Sequence, residues 1–251
     1  MAKSVALITG ASAGLGVEFA RQLSKRGHAL VLAARRKDRL EALAAELGDA
    51  RAVEIDLGRE GAAADLVANV DAAGETIDLL VNNAGFGLTG RFAKKESARL
   101  RQMIDLNCGA LTELCRAVAP GMIERGSGAI LNVASTAAFQ PGPGMAVYFA
   151  TKAYVLSLTE ALHEELKSAG VRVSALCPGP TATEFGEVAG FGKTIPKFAY
   201  SDAASVVRAG LAGLERNQAV VIPGLLNKLS GQGHRLLPRS LLRKIAGAIK
   251  F

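Results

Sequence analysis

The stretch SVALITGASAGLG, residues 4–16, is the most informative segment for the fold. Its apolar first half predicts a strand over Ser4–Thr9, and the helical pattern of Leu15–Lys25 follows a turn that contains three glycines. Glycines at the end of a strand let the backbone turn tightly and approach a pyrophosphate, to which the helix N-terminus offers unpaired N–H groups. The spacing Gly-x-x-x-Gly-x-Gly is therefore interpreted as a nucleotide-binding turn rather than an ordinary glycine-rich turn. The residues predicted to hold the phosphates are Gly10, Ser12, Gly14, Leu15 and Gly16.

Apolar runs alternate with helical patterns along most of the chain. The further predicted strands are Ala29–Ala34, Ala52–Ile55, Ile77–Val81, Gly128–Ala134, Val171–Cys177 and Ala219–Ile222. The further predicted helices are Arg39–Leu47, Leu100–Glu124, Val147–Lys167 and Asp202–Glu215. Several strands are continuous Val/Ile/Leu runs, which is typical of a parallel sheet covered on both faces. The sequence thus predicts an α/β fold, a single Rossmann-type doubly wound sheet of about seven parallel strands with helices on both faces.

Length and composition agree with one globular domain. The 251 residues are 49% hydrophobic and 21% charged, which excludes disordered and fibrous chains. No apolar run approaches the ~18 residues of a membrane span, and the N-terminal run stops too early for a signal peptide. Three cysteines without paired spacing favour reduced thiols and a cytoplasmic location. Because no linker divides the chain before residue 216, a single domain over residues 1–251 is predicted, with residues 224–251 as a C-terminal extension.

The formal charge of +7 is confined to the C-terminal tail. Residues 1–215 carry 23 Lys+Arg and 23 Asp+Glu, whereas residues 216–251 carry basic residues and no acid. A neutral body argues against a nucleic-acid partner. A helix beginning at Pro238 would be apolar on one face and basic on the other. Such a helix fits an anionic membrane surface, but docking of its apolar face on the domain or on a partner subunit is favoured, because amphipathic helices usually cover a core.

Two arginines follow the second predicted strand. A site that prefers NAD places an acidic residue about twenty positions after the glycines, where it bonds the ribose 2′-hydroxyl. This chain has Arg35 there, 19 residues beyond Gly16, and Arg36 follows. Guanidinium groups bind a 2′-phosphate through charge-assisted hydrogen bonds, so NADP is predicted over NAD. The alternative is a solvated basic helix start, and Ala13 in the glycine turn offers no second cation.

Four polar residues are candidates for catalysis. Tyr148 and Lys152 lie four residues apart on a predicted helix and share one face, where the lysine charge would lower the pKa of the phenol. Ser135 follows the fifth predicted strand, at the edge where such sheets bind ligands, and its hydroxyl could donate to a carbonyl oxygen. Asn107 lies within a predicted helix, where Asn is a poor helix former. Tyr-x-x-x-Lys alone is a chance pattern in many helices, so the assignment depends on the accompanying motifs.

Together these motifs resemble the short-chain dehydrogenases/reductases of the single-domain type. The resemblance extends over roughly residues 4–223 and includes Asn-Asn-Ala-Gly at 82–85 and Cys-Pro-Gly-Pro-Thr at 177–181, in the family's order. It implies hydride transfer between a nicotinamide cofactor and a carbonyl or alcohol substrate. The resemblance implies a catalytic tetrad of four residues. In it, Tyr148 would exchange the proton and Ser135 would hold the substrate oxygen. Lys152 would lower the Tyr148 pKa and bind the nicotinamide ribose, and Asn107 would hold a water.

The resemblance also implies contacts and partners beyond the tetrad. Besides Tyr148 and Lys152, the implied cofactor contacts are Asp56, Leu57, Asn83, Ala84, Gly85, Pro178, Gly179, Thr181 and Thr183. A homodimer or homotetramer is implied through the helices Leu100–Glu124 and Val147–Lys167. The three histidines show no metal-ligand spacing, so no metal is predicted.

The segment Thr183–Tyr200 resembles the family's mobile lid over the substrate. Its apolar and aromatic residues favour an apolar ketone, aldehyde or acyl substrate, although lids also pack on their own domain. The predicted function is therefore an NADP-dependent oxidoreductase that transfers a hydride between nicotinamide and an apolar carbonyl or alcohol substrate. Two alternatives remain open: a membrane-surface 3-oxoacyl reductase, and a non-catalytic NADP-binding sensor or scaffold.

Overall fold

One sheet of seven strands organises the structure, a computed structural model that describes residues 3–190, 200–233 and 238–248. The strands are β1 (Lys3–Thr9), β2 (Ala29–Ala34), β3 (Ala50–Glu54), β4 (Glu75–Asn82), β5 (Gly128–Val133), β6 (Val171–Leu176) and β7 (Val220–Val221). Neighbouring strands are parallel, and they lie in the order β3-β2-β1-β4-β5-β6-β7. The predicted doubly wound parallel sheet is confirmed.

Ten α-helices lie in the described part of the chain. They are α1 (Gly14–Lys25), α2 (Lys37–Leu47), α3 (Ala62–Ala72), α4 (Ser97–Ile104), α5 (Leu111–Glu124), α6 (Ala146–Lys167), α7 (Phe185–Ala189), α8 (Ala203–Glu215), α9 (Leu225–Gly233) and α10 (Arg239–Ala248). Three of them, α3, α7 and α9, were not predicted. The alanine-rich sequence of α3 shows little alternation between apolar and polar residues at helical spacing, and α7 and α9 are short. None of the described helices is long and apolar enough to cross a bilayer.

The predicted continuous helix Leu100–Glu124 is wrong in one respect. A π-helical segment, Asp105–Ala110, separates α4 from α5, and Asn107 is buried within it. A π segment inserts an extra residue into a helix and is frequent at functional sites. Hydrophobic periodicity does not reveal such a segment, because helical structure continues on both sides of it.

Alternate residues of the central strands pack on opposite faces of the sheet. In β1, Val5 and Leu7 belong to one apolar cluster, which α3, α5 and α6 cover. Ala6 and Ile8 belong to a second cluster, which α1, α2 and α8 cover. Burial on both faces explains why these strands are continuous apolar runs rather than alternating ones.

The change of winding direction at β1 positions the candidate site. Because β1 lies between β2 and β4, the connections that leave β1 and β4 run to opposite sides of the sheet. A crevice opens at this point, outside the carboxyl ends of the strands. Three predicted site residues lie at this edge of the sheet. Gly10 directly follows β1, Asn83 directly follows β4, and Ser135 is the second residue after β5.

The C-terminal helices fold back on the domain. α9 packs against a 3₁₀ helix, Thr136–Phe139, that follows β5. The carbonyl of Pro238 accepts hydrogen bonds from the N–H groups of Leu241 and Leu242, at 3.0 and 3.1 Å, so α10 begins where the sequence predicts.

The predicted apolar face of α10 divides into two parts. Of the residues predicted on that face, Leu242 is buried at 8% exposure, whereas Leu241 and Ile245 remain exposed. Ala246, which was not predicted on that face, is buried at 3% exposure. The helix therefore docks through a narrow stripe and presents the rest of its apolar side outward. Ile249 and Lys250, and half of the predicted lid (191–199), lie outside the described residues.

Candidate active site

The turn after β1 brings the backbone into unusually close contact with itself. Gly10 has a φ of +65°, which residues that carry a Cβ rarely adopt. A Cβ on Gly16 would lie 2.2 Å from the carbonyl oxygen of Gly10, so only glycine permits α1 to begin this close to the turn. No described side chain caps the first turn of α1. Its Gly16 N–H donates to the Ala13 carbonyl at 3.1 Å, and the N–H groups before it can receive an anion. Leu15 packs partly against the core, so its side chain supports the turn.

Polar contacts between the ends of β1 and β4 hold this turn in place. The Thr9 hydroxyl accepts hydrogen bonds from the N–H groups of Asn83 and Ala84, both at 3.0 Å. The Asn83 amide donates to the carbonyl oxygens of Thr9 and Gly10, at 2.9 and 3.2 Å. Asn83 thus braces the turn, and its predicted contact with a cofactor stays a prediction. The bracing role of Thr9 was not identified from the sequence.

The two predicted arginines after β2 differ in their surroundings. Arg36 donates from Nε to the Ser12 hydroxyl and from Nη2 to the Ser12 carbonyl, both at 3.2 Å. Arg35 is exposed, and within the described part of the chain it makes no hydrogen bond. Glu184 accepts a hydrogen bond from Arg36 at 3.1 Å and from Arg39 at 2.8 Å, a contact that the sequence did not predict.

The residues predicted after β3 and β4 occupy the edges of the crevice. Asp56 is exposed, and its carboxylate accepts a hydrogen bond from the Gly58 N–H at 3.0 Å. The Leu57 side chain is buried in the core, so only its backbone is available at the crevice. A Cβ on Gly85 would lie 3.0 Å from Oδ1 of Asn107, which shows how closely the end of β4 approaches the predicted tetrad.

Ser135 and Tyr148 meet at the carboxyl end of the sheet. Ser135 caps the 3₁₀ helix by accepting a hydrogen bond from the Ala137 N–H at 3.1 Å, and its side chain also bonds that of Tyr148. Burial raises the pKa of Tyr148 to about 12, and the hydrogen bond with Ser135 acts in the opposite direction. The phenol therefore carries its proton at neutral pH and can donate it.

Lys152 lies one turn after Tyr148 on α6. Its Nζ donates to the carbonyl oxygen of Val133 at 2.7 Å and lies 5.8 Å from the centre of the Tyr148 ring. Burial lowers the pKa of Lys152 to about 8, so most of the lysine is still charged at pH 7. Since burial has the largest influence on both groups, the predicted lowering of the Tyr148 pKa by Lys152 stays a prediction.

The π-helical segment directs Asn107 toward the same place. Its Oδ1 accepts a hydrogen bond from the Phe86 N–H at 3.1 Å, and its Nδ2 donates to the Phe86 carbonyl at 2.9 Å and to the Thr151 hydroxyl at 3.1 Å. These bonds tie the loop after β4 to α6, next to Lys152. The roles of Phe86 and Thr151 carry no signal in the sequence, because both depend on where the π segment places Asn107.

The segment after β6 covers the crevice. The Pro178 carbonyl accepts a hydrogen bond from the Thr136 N–H at 2.9 Å, and the Thr181 hydroxyl donates to the Gly179 carbonyl at 3.0 Å. Thr183 packs on the glycine turn, since a Cβ on Gly14 would lie 3.1 Å from the Thr183 Cβ.

Asn227 of α9 fills the space beside Gly179. A Cβ on Gly179 would lie 2.4 Å from Oδ1 of Asn227, so a larger residue at 179 would require the Asn227 side chain to shift. Asn227 was not singled out from the sequence, because α9 itself was not predicted.

Apolar side chains pack around the Tyr148 ring. The Phe185 ring centre lies 5.4 Å from that of Tyr148. A Cβ on Gly87 would lie 3.1 Å from both Met145 and Phe185 and 3.3 Å from the Tyr148 ring. Phe185 belongs to the segment that was predicted to cover the substrate, whereas Met145 and Gly87 were not singled out. The proton donor therefore faces an apolar space.

The arrangement places a protonated phenol and a glycine turn that could receive an anion at one crevice. Ser135, Tyr148, Lys152 and Asn107 lie at its centre, and the glycine turn lies on the β1 side. Among the described residues, no group of His, Cys, Asp and Glu could hold a metal ion. The geometry suits proton transfer to a polarised oxygen beside a bound anion-bearing ligand.

Known proteins are similar to this chain in sequence and in fold. An NADP-dependent 3-hydroxy acid dehydrogenase, YdfG, of Escherichia coli K12 is 40% identical over 187 residues, which cover 73% of this chain and 75% of that protein. A short-chain dehydrogenase from Sphingobium yanoikuyae, solved in complex with NADPH, superposes with a TM-score of 0.83 at 39% identity and covers 93% of this chain and 94% of its own.

A second solved structure is an alcohol dehydrogenase from Comamonas testosteroni that is specific for bulky-bulky ketones. It gives a TM-score of 0.78 at 33% identity, covering 94% of this chain and 93% of its own. The family model described as short chain dehydrogenase matches residues 4–192, from the first strand to beyond α7. A match of this extent, over a sheet and a tetrad that have the expected order, shows that the chain belongs to the short-chain dehydrogenase family.

Proposed function

We propose that this protein is an NADP-dependent oxidoreductase that transfers a hydride between the nicotinamide and a carbonyl or alcohol group. The observation that carries the proposal is the buried Tyr148, bonded to Ser135 and one turn from Lys152, beside the glycine turn. The residues present fit a dinucleotide, because the turn has a cradle that a Cβ would fill and Arg36 lies against it. The NADP dependence of the Escherichia coli relative and the NADPH complex of the Sphingobium neighbour support the choice of cofactor.

Each tetrad residue has a distinct task in this proposal. When bound, the cofactor supplies or accepts the hydride at the substrate carbon. Tyr148 donates a proton to the substrate oxygen during reduction and takes it back during oxidation. Ser135 donates a hydrogen bond to the same oxygen, and the Lys152 charge stabilises the phenolate that remains after proton transfer. Asn107 keeps the loop after β4 in register with α6 through Phe86 and Thr151.

A substrate panel tests the proposed function. Consumption of NADPH would be followed with ketones, aldehydes and 3-oxoacyl thioesters. Turnover of ketones or aldehydes supports a carbonyl reductase, and preference for the thioesters supports the 3-oxoacyl alternative. Tight NADPH binding without turnover of any member would favour the non-catalytic sensor.

The apolar wall around Tyr148 bears on the substrate class. Phe185, Met145 and Gly87 surround the phenol, and the buried cluster that contains Met145 and Tyr148 also contains Met103 and Phe149. Burial of apolar substrate surface there would favour binding by ~25 cal/mol per Å². We therefore propose an apolar ketone, aldehyde or acyl group as the substrate.

The cofactor preference gives a first prediction. Arg35→Asp is expected to shift the preference from NADPH toward NADH by about tenfold or more, because a carboxylate repels the 2′-phosphate and accepts from the 2′-hydroxyl. The preference would be measured as the ratio of kcat/KM for the two cofactors. Arg208→Asp makes the same charge change at an exposed position on α8 and should leave the ratio unchanged. An unaltered ratio in Arg35→Asp would place the 2′-phosphate contact elsewhere.

Self-association is the second part of the proposal. An open apolar groove of about 360 Å³ runs between the π segment and α6, and its lining includes Ile104, Cys108, Val147 and Ala150. Tyr154, further along α6, is also exposed. A homodimer through this face would cover the groove with the same helices of a second copy. The native mass in light scattering tests this.

A membrane-surface contact is favoured by a specific feature of the C-terminal helices. On α9, Leu225, Leu226 and Leu229 are 74%, 83% and 63% exposed. Arg243 and Lys244 on α10 are exposed and basic, and residues 216–251 contain no acid. Exposed apolar side chains on a segment whose charged residues are all basic suit an anionic lipid surface, whereas two copies of this tail would repel each other.

The second prediction concerns vesicle binding. The wild-type protein is expected to co-sediment with vesicles that contain phosphatidylglycerol and to be released by salt, because the cations are exposed. Leu225→Ser combined with Leu226→Ser should lose binding at unchanged NADPH affinity. Phe92→Ser, at a position 64% exposed outside the tail, is the matched control. Equal sedimentation of the wild type and the double variant would contradict membrane contact by α9.

A further inference from the structure

Glu184 forms a two-arginine ion pair at the edge of the crevice. Its two carboxylate oxygens accept hydrogen bonds from Arg36 at 3.1 Å and from Arg39 at 2.8 Å. All three side chains are 41–46% exposed to solvent. The hydrogen bonds with Arg39 and Arg36 lower the pKa of the Glu184 carboxyl, which is therefore charged at neutral pH.

The arginines belong to the part of the crevice where the cofactor phosphate is expected. Arg36 also holds Ser12, within the glycine turn, through both its hydroxyl and its carbonyl. Arg39 follows on the first turn of α2. A pair of guanidinium groups beside an anion-binding turn is suited to a phosphate, but Glu184 already occupies one donor of each guanidinium.

The chain that carries Glu184 is held close to the turn. Thr183 packs so tightly on Gly14 that a Cβ there would lie only 3.1 Å from the Thr183 Cβ. At the base of the segment, the Ser201 N–H donates to the Pro180 carbonyl at 2.8 Å, and the Ala182 N–H donates to the Ser201 carbonyl at 3.1 Å. These contacts hold the backbone of the segment beside the turn, so the Glu184 side chain lies within reach of both arginines.

We propose that Glu184 is a specificity-determining residue that competes with the cofactor's 2′-phosphate for Arg36 and Arg39. The negative charge of a 2′-phosphate is repelled by the Glu184 carboxylate. To bind Arg36 and Arg39, the phosphate must either share these arginines with the carboxylate or displace the carboxylate from them. A 2′-hydroxyl carries no charge and meets no such competition. Glu184 therefore lowers the advantage of NADPH over NADH that the arginines would otherwise give, and it limits how tightly the phosphorylated cofactor is held. The inference rests on the proposed use of NADP.

Two other roles for Glu184 predict different changes in cofactor affinity when the residue is replaced. If Glu184 served to orient the guanidinium groups for the phosphate, its removal would weaken binding of the phosphorylated cofactor. If it served only to support the fold, its removal would weaken both cofactors alike. Binding of two ligands that differ only in the 2′-phosphate separates these roles.

The test measures binding without turnover. NADPH and NADH would be titrated into wild-type and Glu184→Gln protein in the absence of substrate, with nucleotide fluorescence as the signal. Glu184→Gln is expected to bind NADPH about three- to tenfold more tightly and NADH as the wild type does, because two exposed ion pairs are each worth up to ~1 kcal/mol. The gain should shrink as salt is raised.

A matched control excludes a general effect of charge. Glu187→Gln removes the same charge at an exposed position three residues along, on α7. It should leave both affinities unchanged. Unchanged or weaker NADPH binding in a folded Glu184→Gln protein would overturn the inference, as would an equal gain in Glu187→Gln. Failure of wild-type protein to bind either nucleotide would instead overturn the proposed function.

Discussion

Tyr148→Phe is expected to lower turnover by about 10²- to 10⁴-fold and to retain NADPH binding. The substitution removes the proton donor, whose pKa burial holds at about 12, and keeps the ring. Ring contacts with Phe149 and Phe185 are preserved, so the fold should change little. Loss of the hydrogen bond to Ser135 costs on the order of 1 kcal/mol of stability. The measurements are kcat with the best substrate of the panel and fluorescence titration with NADPH.

A second tyrosine on the same helix provides the control. Tyr154 is exposed, and its hydroxyl lies 2.8 Å from that of Thr112. Tyr154→Phe makes the same chemical change without touching the crevice and should keep near-normal turnover. Near-normal reduction rates in Tyr148→Phe would rule out Tyr148 as the proton donor.

Lys152→Met is expected to abolish most activity and to stabilise the protein at neutral pH. The charged ammonium is needed to stabilise the phenolate, so a loss of about 10²-fold or more in turnover is expected. The same charge is costly to the fold, because burial lowers the pKa of Lys152 to about 8 from the ordinary value of about 10.5. Methionine retains much of the side-chain volume without the charge.

The pH dependence of stability has a definite sign. A basic group with a lowered folded pKa binds fewer protons in the folded state than in the unfolded state between pH 8 and 10.5. The wild-type free energy of unfolding should therefore rise relative to that of Lys152→Met as pH increases through this window, by about 2 to 3 kcal/mol between pH 7 and pH 10. Below pH 7 the difference should be constant.

Urea unfolding of both proteins at pH 7 and pH 10 measures this difference. Comparison of the two proteins cancels groups that titrate in both. Lys167→Met makes the same substitution at an exposed position at the end of α6, outside the crevice, and is the matched control. A difference between wild type and Lys152→Met that is independent of pH would mean that Lys152 is not held at a lowered pKa.

The residues of the candidate tetrad were predictable from the sequence, but not all of their contacts were. Tyr148 and Lys152 share a helix face by spacing alone, and Ser135 is placed by the end of its strand. Their meeting was inferred from the parallel sheet and from the resemblance, and the structure brings them together with Asn107 at one crevice. The hydrogen-bond partners of Asn107 were not predictable, because a π segment shifts the helical phase without leaving a hydrophobic signature.

Contacts between distant residues were the least predictable. Glu184 and Arg36 are 148 positions apart, and their pairing depends on the path of the chain after β6. Asn227 reaches Gly179 only because α9 returns to the sheet edge. The tail reads as one amphipathic helix, yet docking buries Leu242 and Ala246 and leaves Leu241 and Ile245 exposed.

The parallel sheet, the glycine turn and the order of the catalytic motifs follow from the amino-acid sequence without the structure. These features depend on local properties: continuous apolar runs, positions that accept only glycine, and side chains one helical turn apart. Three-dimensional packing sets which charges face each other, how deeply Lys152 and Tyr148 are buried, and which leucines of the tail stay uncovered. Burial and pairing arise from contacts between segments far apart in the chain, and no local pattern encodes them.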